Sequence, residues 1–383
     1  MKTKVMIPYE ISHAISFLRF PLAVLVVYIH SLGNGDLTTL AHDGLNVNLR
    51  DLLGVMISQG VANIAVPLFF LISGYLFFSD SVFTKDDYKD KLKSRFFSLL
   101  IPYLLWNFVP LLFVFSKRLI GGCISGDFFS LYAYIRNVDW LHVFWNSESM
   151  KSAIVGINGE RMPLSGPINY PLWYLRDLII LVILSPLFYS ILKSKIKHIF
   201  IIVLSMLFIF GVWPNVSILA ITGVYFFSLG AYCRVNGYNF LKYIDRYWIY
   251  IVITFMLSYG VTIYYNGGAL NNMFVLSGIA LLLLLGKKAA NTELGEKIVM
   301  KRCFFADLSY FIYLSHAVLI STINIHQLVI SKVLNLFPYC DILDALDYVL
   351  YPLLIVALCS LLMLGLKKLC PSILSLIIGN YRI

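Results

Sequence analysis

Ten apolar runs, each near the length of a bilayer crossing, constrain this chain more than any other feature. They fall at about 11–32, 57–79, 96–115, 172–192, 197–213, 215–233, 246–265, 270–286, 304–330 and 344–366. A hydrocarbon layer about 30 Å thick takes roughly 20 helical residues at about 1.5 Å each. Inside lipid every backbone N–H and C=O must bond within the protein, so runs of this kind fold as helices. The expectation is an all-α polytopic membrane bundle of about ten helices. Composition agrees: 60% of the 383 residues are hydrophobic and 13% charged, against about 25% charged in soluble domains.

The net charge is +10, but the basic residues lie in short connectors rather than on one face, which argues against nucleic acid. With the N-terminus in the cytoplasm, 21 of the 30 lysines and arginines fall on that side and 7 on the other. That asymmetry predicts cytoplasmic N- and C-termini. The segment 116–171, with Trp140, Trp145, Tyr132 and Tyr134, is then exterior, and a re-entrant or amphipathic lid is expected there. One membrane domain spans 9–366 and a cytoplasmic tail 367–383, and the membrane lipids are its solvent. The six cysteines show neither a disulfide framework nor metal-ligand spacing, so no metal site is expected. The first apolar run lacks cleavage chemistry, and no removable signal peptide is expected.

Four stretches carry ionisable groups where lipid would penalise them. In "SFLRFPLAVLVVYIHS" (16–31), Arg19 and His30 are eleven residues apart, on nearly one helix face and about 16 Å apart along it. A lipid-facing arginine would cost on the order of 3 kcal/mol, so the pair is expected to face a polar interior, Arg19 deeper and His30 near the outer end. In "SYFIYLSH" (309–316), Tyr313 and His316 share a face, Tyr310 aligns less well, and His316 is expected in mid-membrane. In "YPLWYLRDLI" (170–179), Trp173 and Tyr174 suit an interfacial belt. Adjacent side chains diverge by about 100°, so Arg176 and Asp177 are expected to seek separate partners. In "VPLFFLISGYLFF" (66–78), Ser73–Gly74 would let helix backbones approach closely, and Arg95 stands at the inner mouth of the next run.

In this order the stretches resemble the acyltransferase 3 family, ten-span membrane enzymes that O-acylate sugars of cell-surface glycans. The family's arginine with a histidine eleven residues later matches Arg19 and His30. Its "PLFFxxSGyL" element matches 67–76, its "R…IPY" element Arg95 with 101–103, its "lWyL" element 172–175 with Arg176 following, and its "iYLxH" element 312–316. The resemblance covers roughly residues 9–366.

It implies a multi-pass protein of the bacterial cytoplasmic (inner) membrane with no bound cofactor. An acyl group, most often acetyl from acetyl-CoA, is taken on the cytoplasmic side and passed to a sugar hydroxyl of a cell-surface glycan or lipid-linked glycan outside. By that resemblance Arg95 and Arg19 would hold the phosphates of acyl-CoA, with Ser73 on the donor side. His30 would be the general base or carry the acyl group briefly. Tyr313 and His316 would orient the acceptor or stabilise the oxyanion, and Trp173, Arg176 and Asp177 would lie on the acceptor side. No soluble esterase-like domain follows the last run, so transfer would be completed within the membrane domain. Succinyl transfer is the nearest alternative. A polytopic transporter is the other, although no repeated broken-helix halves are evident.

Overall fold

The computed structural model describes residues 7–31, 48–78, 83–137, 143–145, 153–155, 161–163, 167–213, 219–265, 268–334 and 340–379. Each apolar run coincides with a helix. Those long enough to cross a membrane are α1 (Tyr9–Ser31), α2 (Leu49–Phe77), α3 (Lys85–Ser125), α8 (Trp248–Tyr265), α9 (Gly268–Ala290), α10 (Arg302–Thr322) and α11 (Asp341–Leu369). Between α3 and α8 lie α4 (Tyr170–Ile183) and α5 (Ser185–Lys193), bent by 59° at their junction, then α6 (Lys197–Ile209) and α7 (Ile221–Val235). A final helix, α12 (Pro371–Ile377), follows α11. Apart from a two-stranded antiparallel ribbon, Ala153–Val155 with Arg161–Pro163, the described secondary structure is helical.

Several boundaries differ from those expected. The third run does not end at 115: its helix continues to Ser125, so α3 occupies the first ten residues assigned to the exterior segment. Helix Phe129–Asn137 then lies back along α3, the Tyr134 hydroxyl donating to the Leu111 carbonyl. The fourth run is broken at Leu184, where Pro186 in the first turn of α5 cannot donate into a continuous ladder. The sixth run starts at Ile221 rather than 215, and α6 and α7 are only 13 and 15 residues long. The ninth run is interrupted. A π turn (Val318–Thr322) ends α10, and another (His326–Ile330) opens after a break. The stretch from 367 is no simple extension of α11, because α12 packs against α3 and Trp106 Nε1 donates to the Ile377 carbonyl (3.0 Å). Trp140 and the turn at 214–215 lie outside the described residues.

Helix α1 is central. Ile11, Ile15, Leu18, Leu22 and Val26, at three- to four-residue spacing, are at most 4% exposed, and α1 packs against α9, α10 and α11. By contrast α8 is peripheral, with Ile253, Met256 and Leu257 turned outward as lipid contact requires. The tightest crossing is α2 with α7, as the Ser73–Gly74 pair led us to expect. A Cβ on Gly74 would lie 2.0 Å from the Phe227 carbonyl oxygen, and one on Gly230 would lie 2.0 Å from that of Leu71. Only glycine permits that approach. Arg234 closes the same corner, its Nε donating to the Phe78 carbonyl at the end of α2 with the guanidinium 5.4 Å from the Tyr75 ring.

Candidate active site

Helices α1 and α10 pack side by side and bring His30 and His316 together. The ring centroids of His30 and His316 are 5.3 Å apart, tilted by 38°. This places His316 at the level of the last turn of α1. The α-helical part of α10 ends at Ala317, so His316 is also a last-turn residue. His316 is completely buried and His30 half-buried. The His316 Nδ1 lies 2.9 Å from the Ile312 carbonyl, and its Nε2 is buried with no hydrogen-bond partner among the described residues.

The return of the exterior segment forms a wall beside this pair. Asn169, 3% exposed, donates from Nδ2 to the carbonyls of Trp106 (3.1 Å) and Leu314 (3.3 Å), pinning the chain between α3 and α10. Tyr170 then presents its ring edge-on to His30 at 5.8 Å. Pro171 opens α4 and offers its carbonyl to the Tyr313 hydroxyl (2.6 Å).

From His316 a file of tyrosines leads away along α10. The Tyr313 ring is 6.4 Å from His316, 6.3 Å from the stacked Tyr310 ring and 5.7 Å from the edge-on Tyr174 ring of α4. Tyr310 donates to the Ser98 carbonyl (2.9 Å), in the π turn that follows Arg95. The Tyr174 hydroxyl is bonded to Ser73 Oγ (2.9 Å). Arg19 and Arg95 both lie within electrostatic reach of Tyr174, and Arg19 within reach of Arg95, so α1 and α3 bring their guanidinium groups to one region. Both arginines are half-buried and neither donates a hydrogen bond to a described residue. Asp307, one turn before Tyr310, contributes a carboxylate to the field at Arg19.

The expected donor residues Arg19, Arg95 and Ser73 thus meet around Tyr174, while His30, His316 and Tyr313 meet at the other end of the tyrosine file. Trp173 stands apart, half-buried against Phe70 (6.2 Å between rings). The expectation that Arg176 and Asp177 cannot pair is overturned. Arg176 donates from Nε and Nη2 to Asp177 Oδ1 at 3.0 and 2.9 Å, the two residues being 5% and 1% exposed. The long arginine side chain bends back across the divergence of the Cβ positions, because burial leaves an unpaired charge no cheaper option. The pair also holds two loops: Arg176 Nη1 donates to the Trp145 carbonyl (2.8 Å), and Asp177 Oδ2 accepts from Ala220 N (3.2 Å). Residues 143–145 are further fixed by Tyr103, which donates to the Phe144 carbonyl, and by Ile168 N on the Val143 carbonyl (2.8 Å).

Sequence reasoning missed Asn169, Tyr170 and Asp307 and set Tyr310 aside. Asp307, a carboxylate inside an apolar run, is itself a signal of a polar interior. Tyr170 could have been suspected from its place immediately before the proline that opens a span. Nothing in the sequence marks Asn169.

The family model for an acyltransferase domain matches residues 12–366. The chain belongs to the acyltransferase 3 family. Among curated relatives it is similar to the succinoglycan biosynthesis protein ExoH of Rhizobium meliloti (strain 1021), 27% identical over 263 residues. That alignment covers 67% of this chain and 64% of ExoH, so the match spans under two thirds of the relative's length. No solved structure matches the chain.

Proposed function

We propose that the protein transfers an acyl group, acetyl before succinyl, from cytoplasmic acyl-CoA to a sugar hydroxyl of a cell-surface polysaccharide or its lipid-linked precursor, at the bacterial inner membrane. The observation that carries this reading is the continuous polar file from Arg19 and Arg95 to His30 and His316 inside an otherwise apolar bundle. A polar track through lipid is costly and is kept where something polar must cross or react. The glycan side draws on the similarity to a protein named for succinoglycan biosynthesis.

Arg19 and Arg95 suit a phosphate-bearing donor, because two guanidinium groups without acceptors among the described residues provide charge-assisted donors for phosphate oxygens. The pantetheine arm would lie along Tyr174, Tyr310 and Tyr313 and deliver the thioester to the histidine pair. There His30 takes the proton of the acceptor hydroxyl as its oxygen attacks the acyl carbon and the thiolate leaves. Acetyl is favoured over succinyl by the surroundings of the pair. Its described ring partners are aromatic, and a succinyl carboxylate would need a cation that none of them supplies. Ser73 contributes by orienting Tyr174, and Trp173, Arg176 and Asp177 by shaping the acceptor side.

The test is transfer from radiolabelled acetyl-CoA or succinyl-CoA to purified polysaccharide by the reconstituted protein, with the mass added to the glycan naming the acyl group. Acetyl incorporation is expected. Incorporation of neither, with sugar uptake into the same vesicles, would overturn the reading in favour of transport.

A further inference from the structure

The two histidines are not equivalent. A carbonyl oxygen can only accept, so the 2.9 Å contact to Ile312 requires a hydrogen on His316 Nδ1. In the neutral ring Nε2 is then a bare lone pair. It is fully buried and has no hydrogen-bond partner among the described residues. An uncompensated buried acceptor is unfavourable, and this one lies beside the ring of a second histidine. The ring beside it is His30, and Tyr313, the other close neighbour, has its hydroxyl engaged by Pro171.

We infer that His316 is the proton acceptor of a histidine pair: it receives the N–H proton of His30 while His30 takes the proton of the acceptor hydroxyl. This rests on the acyl-transfer reading and changes the role of His316 within it. An oxyanion stabiliser must donate, and the single N–H of neutral His316 is committed to Ile312. A fixed lone pair instead makes His30 a stronger base without placing an ion in a dry site beforehand. In the balanced step the acceptor O–H bond breaks and its proton goes to the bare nitrogen of His30. The C–O bond to the acyl carbon forms and the C–S bond of the thioester breaks. The proton parked on His316 returns through His30 to the departing thiolate, leaving both imidazoles neutral and a free thiol. His316 acts through His30 and is a positioning residue for the proton.

The experiment compares wild type with His316→Gln, both purified in nanodiscs with acetyl-CoA and polysaccharide, and measures rate against deuterium fraction in mixed H2O and D2O. Wild type is expected to give a curved dependence, two protons moving in one step. His316→Gln is expected to give a straight line, with kcat lower on the order of a hundredfold and both KM values within about twofold. A kcat near wild type in His316→Gln, with wild type active, overturns the inference and leaves the transferase reading intact. Should the buried substitution fail to fold, the wild-type measurement decides: curvature supports the pair and a straight line overturns it. Wild type that transfers no acyl group from any acyl-CoA overturns both readings together.

Discussion

Arginine is withdrawn from water in several parts of this bundle, and two of them treat it in opposite ways. At the start of α4, Arg176 is bound to Asp177, to the Trp145 carbonyl and to its place between two loops. Between α1 and α3, Arg19 lies within electrostatic reach of Arg95, both lie near Tyr174, and neither has a hydrogen bond to a described residue. Two like charges in a poor dielectric repel, so their convergence does nothing for folding. The difference teaches a rule of reading: a buried charge matched by the chain builds structure, and one left unmatched awaits a group the chain does not contain. The histidine pair repeats the contrast on a smaller scale, with Nδ1 of His316 matched and Nε2 left bare.

The largest effect expected on the unmatched side is at His30. His30→Asn removes the base but keeps a side chain of similar breadth, and should lower transfer by about a hundredfold to ten-thousandfold while size-exclusion elution stays that of wild type. Near-normal transfer would reduce His30 to packing. On the matched side, Asp177→Ala strands a buried guanidinium and should destabilise the fold by about 3–5 kcal/mol, read as thermal unfolding in detergent. An unchanged midpoint would mean that the pair is not structural and would blur the comparison. Gly230→Ala sharpens it from a contact made by backbone alone. The added methyl meets the Leu71 carbonyl, so α2 and α7 must separate at a cost of about 1–3 kcal/mol, visible as a lowered unfolding temperature with KM for the donor unchanged.

The side of the membrane each region faces can be probed without new substitutions. Cys123 and Cys340 fall on the exterior side of the proposed topology and Cys303 and Cys370 on the cytoplasmic side. A membrane-impermeant maleimide added to intact cells should label the first two and spare the others. The reverse pattern would invert the bundle and place the arginines on the wrong side for a cytoplasmic donor.

The helices were legible because an apolar run records contact with lipid along its whole length, and the close approach at Gly74 because serine and glycine together announce it. Where the runs break was less so. Leu184 is followed by Ser185-Pro186, and the π turn after Ala317 leads into the polar stretch 321–327, breaks that a count of apolar residues passes over. The meeting of His316 with His30 joins residues far apart in the chain, and no periodicity encodes it. Arg19, His30, Arg95, Tyr313 and His316 were legible as charges and polar rings in places lipid would punish. The role of Arg176 and Asp177 was not, because a spacing rule about Cβ directions ignores how far an arginine can reach back.

The account stands or falls on what the unmatched arginines bind. Equilibrium binding of coenzyme A to purified protein in detergent, followed by titration calorimetry at two salt concentrations, addresses that without needing the acceptor. Arg19→Ala and Arg95→Ala should each weaken binding about tenfold, the worth of a lost charge-assisted contact of roughly 1.4 kcal/mol, with wild-type affinity falling as salt rises and thermal stability held in both variants. Coenzyme A bound equally well by wild type and both variants would contradict the claim that these two charges were left open for the donor.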